Sequence, residues 1–177
     1  MGLESSDEYI YLPFFYRKER IDRATAGIET YTESGWVNAS YAEYMTIFDV
    51  LSRYALPSLT GEFRPAAALL PSVYRSGIDG GFLDRDAAFF DEHFSEVAEV
   101  CSALGRSVPG SCDAEFEFDL FDFLPLRMRL WRSDEEFPAE LGFLWDACTL
   151  DHMYFETTQF AERFVTQAIT GEVLKKI

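Results

Sequence analysis

The chain is 177 residues long, 48% hydrophobic and 16% aromatic, enough for one domain with its own core and unlike a disordered acidic tail, which is poor in rings. Its formal net charge of -16, with Lys and Arg scattered instead of gathered in a stripe, excludes nucleic acid and anionic membrane surfaces as partners. Residues 1–8 lack the cationic start and apolar run of a signal peptide, and no later apolar run reaches the ~20 residues that span a bilayer. The expectation is a cytoplasmic protein with a single globular domain over 1–177, residues 1–8 being a flexible tail.

From the N-terminus, Tyr9 to Tyr16 is an aromatic, β-prone run interrupted by Pro13, and Gly27 to Thr32 alternates enough to be its hairpin partner across a polar link. Ser40-Tyr-Ala-Glu43 has the capping-box pattern, and Tyr44, Ile47, Phe48, Leu51 and Tyr54 recur at helical spacing before Pro57. A helix over 40–56 is predicted. From Ser58 to Phe82, Pro65, Pro71 and the glycines of Ser76-Gly-Ile-Asp-Gly-Gly81 indicate loop around one short strand. That glycine cluster lacks the Lys of a phosphate loop and the dinucleotide fingerprint, and is read as a connection.

Phe90, Phe94, Val97, Cys101 and Leu104 then define the apolar stripe of a second helix, capped at its start by Asp84 or Asp86 and ended by Gly105. Ala114 to Asp119 alternates apolar and acidic residues as a half-buried strand does. In Leu124 to Arg132, the period of two sets Leu126, Met128 and Leu130 against Arg127, Arg129 and Trp131. Beyond an acidic turn, Leu141, Phe143 and Trp145 share a face and Asp146 points the other way. Thr157 is placed as the cap of a last helix reaching about Ile169, with Phe160, Phe164 and Ile169 as its stripe and Gly171 ending it. Hairpins recur and helices do not alternate regularly with strands. The fold class is therefore α+β, a mainly antiparallel sheet with about three helices packed on it.

Asp134, Glu135, Glu136 and Glu140 crowd the acidic turn, whose plain reading is a solvated hairpin tip. Phe137-Pro138 inside it argues that the turn folds back against the body or a partner. In the functional reading Glu135 and Glu136 offer oxygen ligands to a hard cation such as Mg²⁺ or Ca²⁺, without the spaced pattern of a dedicated calcium loop. Asp146, Asp151 and His152 follow closely, and a carboxylate at a strand end with an imidazole in the next loop suits a metal or acid–base pair. The plain alternative pairs Asp146 with Arg127 or Arg129 and leaves His152 packed near the last helix. His93 falls at the core margin.

Nucleophilic catalysis finds no elbow motif, and Cys101, Cys112 and Cys148 contain no Cys-x-x-Cys pair; they are read as ordinary thiols. The excess of rings fits an aromatic core first and a pocket for a planar ligand second. Candidate ligand- or partner-binding residues are thus Glu135, Glu136, Phe137, Asp146 and His152. Glu135, Glu136, Asp146 and His152 double as the candidate metal set, while catalytic residues and cofactor stay unknown.

Leu59-Thr-Gly-Glu62, Trp131-Arg-Ser-Asp-Glu-Glu-Phe-Pro138 and Phe143-Leu-Trp-Asp146 with Asp151-His152-Met-Tyr154 resemble an uncharacterised domain-of-unknown-function family of anaerobic bacteria and archaea, over about residues 40–170. Some of its members carry an iron–sulfur cluster-binding segment like that of corrinoid iron–sulfur proteins, which the three cysteines here do not supply. The resemblance implies an anaerobe's cytosol and an association with redox or corrinoid-dependent one-carbon metabolism, and it assigns no catalytic residue. The leading expectation is a binding or accessory domain, homodimeric or with a protein partner, or engaging a small-molecule ligand. The alternative is a metal-dependent enzyme built on an acidic-turn carboxylate with Asp146 and His152.

Overall fold

The computed structural model describes residues 3–53, 58–70 and 83–177; the glycine cluster at 77–81 lies outside them. The α+β class holds, with two antiparallel sheets in place of one. In the first, β1 (Tyr9–Phe14), β2 (Arg17–Asp22), β3 (Ile28–Thr32) and β4 (Gly35–Asn38) pair in chain order. The expected polar link Arg17-Lys-Glu-Arg-Ile-Asp22 is therefore a central strand. Its charges are accommodated on both faces. Outward, Arg20 lies over the Tyr9 and Trp36 rings at 4.1 and 4.4 Å and pairs with Glu29 at 2.7 Å. Inward, Glu19 is fully buried and its Oε2 accepts from the Thr30 hydroxyl at 2.7 Å. Ahead of β1, the Glu4 carbonyl accepts from the Tyr11 amide at 2.8 Å.

The second sheet comprises β5 (Phe63–Arg64), β6 (Arg106–Ser107), β7 (Ala114–Phe121), β8 (Leu124–Trp131) and β9 (Glu140–Asp146), in the order β5-β9-β8-β7-β6. Leu126, Met128, Leu130, Leu141, Phe143 and Trp145 are all buried, as the alternation requires. On the opposite face Arg127 pairs with Glu117 at 2.6 Å and Arg129 with Glu115 at 3.4 Å. The arginines are thus taken by β7, and the expected pairing of Asp146 with either of them does not form.

The described residues form six helices where about three are expected. α1 (Tyr41–Ser52) has the predicted capping box, the Glu43 amide donating to Ser40 Oγ and the Ser40 amide to Glu43 Oε2 at 2.7 Å. It ends at Ser52 with Arg53 as C-cap, and residues 54–57 lie outside the description. α2 (Ala66–Leu69) and α5 (Thr149–His152) are single turns. The expected second helix is two, α3 (Asp84–Glu92) and α4 (Phe94–Leu104), joined at His93 with φ -112° and ψ 35°. α3 lies against β9 while α4 lies against β6 and β7, so the bend lets one apolar stripe follow a twisted sheet. Leu83, not Asp84 or Asp86, is the N-cap of α3. Gly105 ends α4 as predicted, and a Cβ there would collide with the Glu117 carbonyl.

α6 (Phe155–Leu174) binds the layers together. It packs on α1, α2, α3 and α4, and its Phe164 stacks on Phe14 of the first sheet at 4.7 Å, a contact worth about 0.5–1.5 kcal/mol beyond area burial. It starts before Thr157 because its cap comes from outside: Asp49 Oδ2 on α1 accepts from the Tyr154 amide at 2.7 Å and from the Thr157 hydroxyl at 2.6 Å. It also runs through Gly171 instead of ending there. No helix among the described residues is long and apolar enough to cross a membrane.

Candidate functional site

The acidic turn is a built loop. Asp134 Oδ1 accepts from the Glu136 and Phe137 amides, both at 2.8 Å, and the Asp134 amide donates to the Phe137 carbonyl at 3.0 Å. Those donors hold the Asp134 carboxyl below its ordinary range. Its near end is anchored to α3, where Asp91 takes the Arg132 guanidinium at 3.1 Å and the Ser133 hydroxyl. Glu135 and Glu136 project into solvent, and Phe137 is 67% exposed.

Phe137 and Pro138 nonetheless form one wall of a cavity of about 620 Å³ between α2, α3, β9 and α6. Its apolar lining includes Leu83, Leu141, Phe143 and Phe155. On its α6 side lies Glu162, only 7% exposed, whose Oε1 accepts from Trp145 Nε1 at 2.8 Å. Burial pushes the Glu162 carboxyl up to about 7, against the lowering effect of the indole N–H. Asp84 and Glu140 also line the cavity, and no Lys, Arg or His among the described residues does.

Glu162 escaped the sequence reading, although a signal for it exists. Phe155, Thr158, Glu162, Val165 and Ile169 recur at alternating steps of three and four along α6, so the carboxylate falls in the middle of a buried stripe. A glutamate at such a position needs a partner or a purpose.

The remaining candidates are placed apart from that cavity. Asp146 is fully buried, its carboxylate accepting from the Thr60 hydroxyl at 2.9 Å, the Gly61 amide at 2.8 Å and the Cys148 amide at 3.0 Å. Burial opposes its ionisation, yet the Cys148, Thr60 and Gly61 donors hold it at about 2. This carboxylate has its lone pairs committed to the loop that precedes β5 and to the turn that follows β9. His152 is buried against Phe123, ring centroids 5.7 Å apart, and neither of its nitrogens has a hydrogen-bond partner among the described residues. Burial lowers its pKa, with Asp151 and Asp146 opposing. No group of three or more His, Cys, Asp or Glu among the described residues is disposed to hold a metal ion. Cys101, Cys112 and Cys148 are free thiols, and burial, aided by Asp146, pushes Cys148 up to about 12.

A second cavity, of about 530 Å³, lies beside Leu3, Tyr11, Pro13 and Phe123. Its cations are already engaged: Arg17 donates to Glu43 Oε1 at 2.7 Å, and Lys18 stands 4.9 Å from the Tyr11 ring centroid. None of the candidate ligand- or metal-binding residues, Glu135, Glu136, Phe137, Asp146 and His152, lines it.

The fold and cavity define a two-sheet α+β domain with a largely apolar cleft, one of whose described lining residues, Glu162, is a buried carboxyl. Residues 1–168 match the family described as domain of unknown function (DUF3786), and the chain belongs to it. No curated protein and no solved structure matches the chain.

Proposed function

We propose that this protein is a binding domain whose small-molecule ligand occupies the cavity beneath the acidic turn. The observation that carries the proposal is the pairing of Phe137-Pro138 on one wall with the buried Glu162 on another. Ligand sites commonly enclose about 300–1,000 Å³, mostly apolar with a few placed polar groups, and the cavity of about 620 Å³ has that character. The apolar pair inside the acidic turn thereby acquires a reason to be there. We place the domain in the cytoplasm as an accessory component of anaerobic redox or one-carbon metabolism, the setting to which the resemblance of its motifs points. Glu135 and Glu136 act at the rim, through their charge, while Phe137 makes contact.

Nile red titration tests this reading. Ala88 lies on the exposed side of α3 and borders the cavity, so Ala88→Trp fills the space without disturbing the core. The wild type is expected to enhance the dye's fluorescence and the variant to lose that enhancement at unchanged melting temperature. Equal enhancement by both proteins places the dye elsewhere and overturns the proposal.

A further inference from the structure

Every titratable side chain that lines the cavity among the described residues is acidic: Asp84 from α3, Glu140 from β9 and Glu162 from α6. The wall supplied by α2 and the residue before it, Pro65-Ala-Ala67, brings no charge. The turn that leads into Phe137 adds Asp134, Glu135 and Glu136, on a chain of formal net charge -16. A cleft lined by one sign of charge with low-dielectric walls concentrates ions of the opposite sign. A carboxylate or phosphate ligand would meet no cation among the described residues that line it.

Glu162 adds direction to that field. Its Oε1 is occupied by the Trp145 indole N–H, the one hydrogen bond the carboxylate makes among the described residues, which leaves Oε2 free of protein donors there. A carboxylate that is more than nine-tenths buried thus keeps one oxygen uncommitted beside an apolar space. Phe137, Phe143 and Phe155 line the same space, and an aromatic ring attracts a cation and a hydrocarbon alike. A positive head joined to an apolar body satisfies all of these features together.

We infer that the ligand is an organic ammonium ion carrying an aromatic or alkyl body, its N–H donating to Glu162 Oε2 and its hydrocarbon lying against Leu141, Phe143 and Phe155. This rests on the cavity being the ligand site. A proton inventory follows. The free Glu162 carboxyl titrates at about 7, so at pH 7 about half the molecules carry its proton. A cation binds the ionised form, and complex formation at pH 7 releases about half a proton to solvent. Below pH 7 the affinity falls, because the carboxyl must first lose its proton.

Calorimetric titration with 2-phenylethylammonium chloride, in phosphate and in MOPS at pH 7, reads both affinity and proton release. The uncharged 2-phenylethanol and the anionic 3-phenylpropionate serve as comparators. The ammonium is expected to bind at least tenfold more tightly than the alcohol, to release protons, and to bind at least tenfold more weakly at pH 5.5 than at pH 8; the propionate is not expected to bind. Glu162→Gln, which keeps an acceptor for Trp145, should cost the ammonium at least tenfold and leave the alcohol unchanged. The wild-type proton release and pH profile decide the matter even if that variant fails to fold. Alcohol or propionate binding as tightly as the ammonium, or no binding of the three where Nile red still binds, overturns the cation and leaves the cavity. Failure of Nile red together with all three overturns the cavity itself.

Discussion

The Gly61 amide donates to Asp146 Oδ2 at 2.8 Å across 85 residues of sequence. Gly61 has φ +74°, left-handed backbone that glycine adopts without strain, so the turn that aims this amide depends on its lacking a Cβ. Thr60 adds its amide and hydroxyl to the same carboxylate. Asp146→Asn keeps the shape but removes the charge, and should cost about 2–3 kcal/mol, the scale of hydrogen bonds to charged groups. Gly61→Ala should cost about 1–2 kcal/mol through backbone strain. Urea unfolding checks both, and an Asp146→Asn variant as stable as the wild type would contradict the assignment of Asp146 to structure.

Stability should fall as pH rises from 5 to 7. Burial, with Glu43 adding to it, raises the Glu19 carboxyl to about 7 in the folded protein, and burial raises Glu162 to a similar value. Unfolded, both titrate near their ordinary 4.5. A raised carboxyl gives its full stability below the unfolded value and loses it as pH climbs through the folded one, by up to about 1.4 kcal/mol per pH unit. His152 acts in the opposite sense: its folded value is lowered, so its contribution is present above 6.5 and lost as pH falls. Two carboxyls outweigh one imidazole. Asp146, held at about 2, withdraws support only below its unfolded value near 4. Urea midpoints should therefore be higher at pH 5 than at pH 8, with Glu19→Gln and Glu162→Gln each removing part of the difference. A midpoint that rises from pH 5 to pH 8 would refute this.

Glu135→Gln with Glu136→Gln should leave unfolding within about 0.5 kcal/mol of wild type, since both side chains are exposed. Their effect belongs to the field at the rim. The double variant should weaken 2-phenylethylammonium binding at 10 mM salt and match the wild type near 0.5 M, where screening spans only a few ångströms. Phe137→Ala, by contrast, should weaken binding at both ionic strengths, by roughly threefold to tenfold for a partly exposed ring.

His152→Leu should be tolerated. Neither imidazole nitrogen has a partner among the described residues, so the variant removes two buried polar atoms from a site against Phe123. We expect a stability within about 1 kcal/mol of wild type at pH 8 and an advantage at pH 5, where the wild-type ring pays for its charge. A metal bound stoichiometrically in protein purified without chelators, and lost in this variant, would instead restore the metal-site reading.

Legibility differed sharply between elements, for physical reasons. β8 and β9 were readable because one face of each is buried and the other, apart from Pro125 and Asp146, is only partly so, which writes a period of two directly into Leu126, Met128, Leu130, Leu141, Phe143 and Trp145. The start of α1 was readable because a capping box is local. β2 was hidden by its own charges: Arg20 is absorbed by rings and Glu19 by Thr30, partners that exist only once the sheet has formed. Glu162 was hidden in the same way, since Trp145 joins it from another strand. Leu59-Thr-Gly-Glu62 and Phe143-Leu-Trp-Asp146 stood out separately as motifs. Their contact, through Asp146 with Thr60 and Gly61 and through the Ala147 amide on the Glu62 carbonyl at 2.9 Å, is long-range and carries no periodic trace.

The cap that Asp49 lends to α6 has a bearing on biosynthesis. Its two hydrogen bonds join residues 105 and 108 positions apart, so this helix terminus stays unsatisfied until α1 is folded and waiting. α6 is also translated after every strand it covers. While it is still being made, the inner surface of the first sheet, with Phe14 and Glu19, has no cover from Phe164. At elongation rates of about 5–20 residues per second, α6 alone takes on the order of one to four seconds to emerge. Throughout that interval Phe14 lacks the stacking partner that α6 brings it.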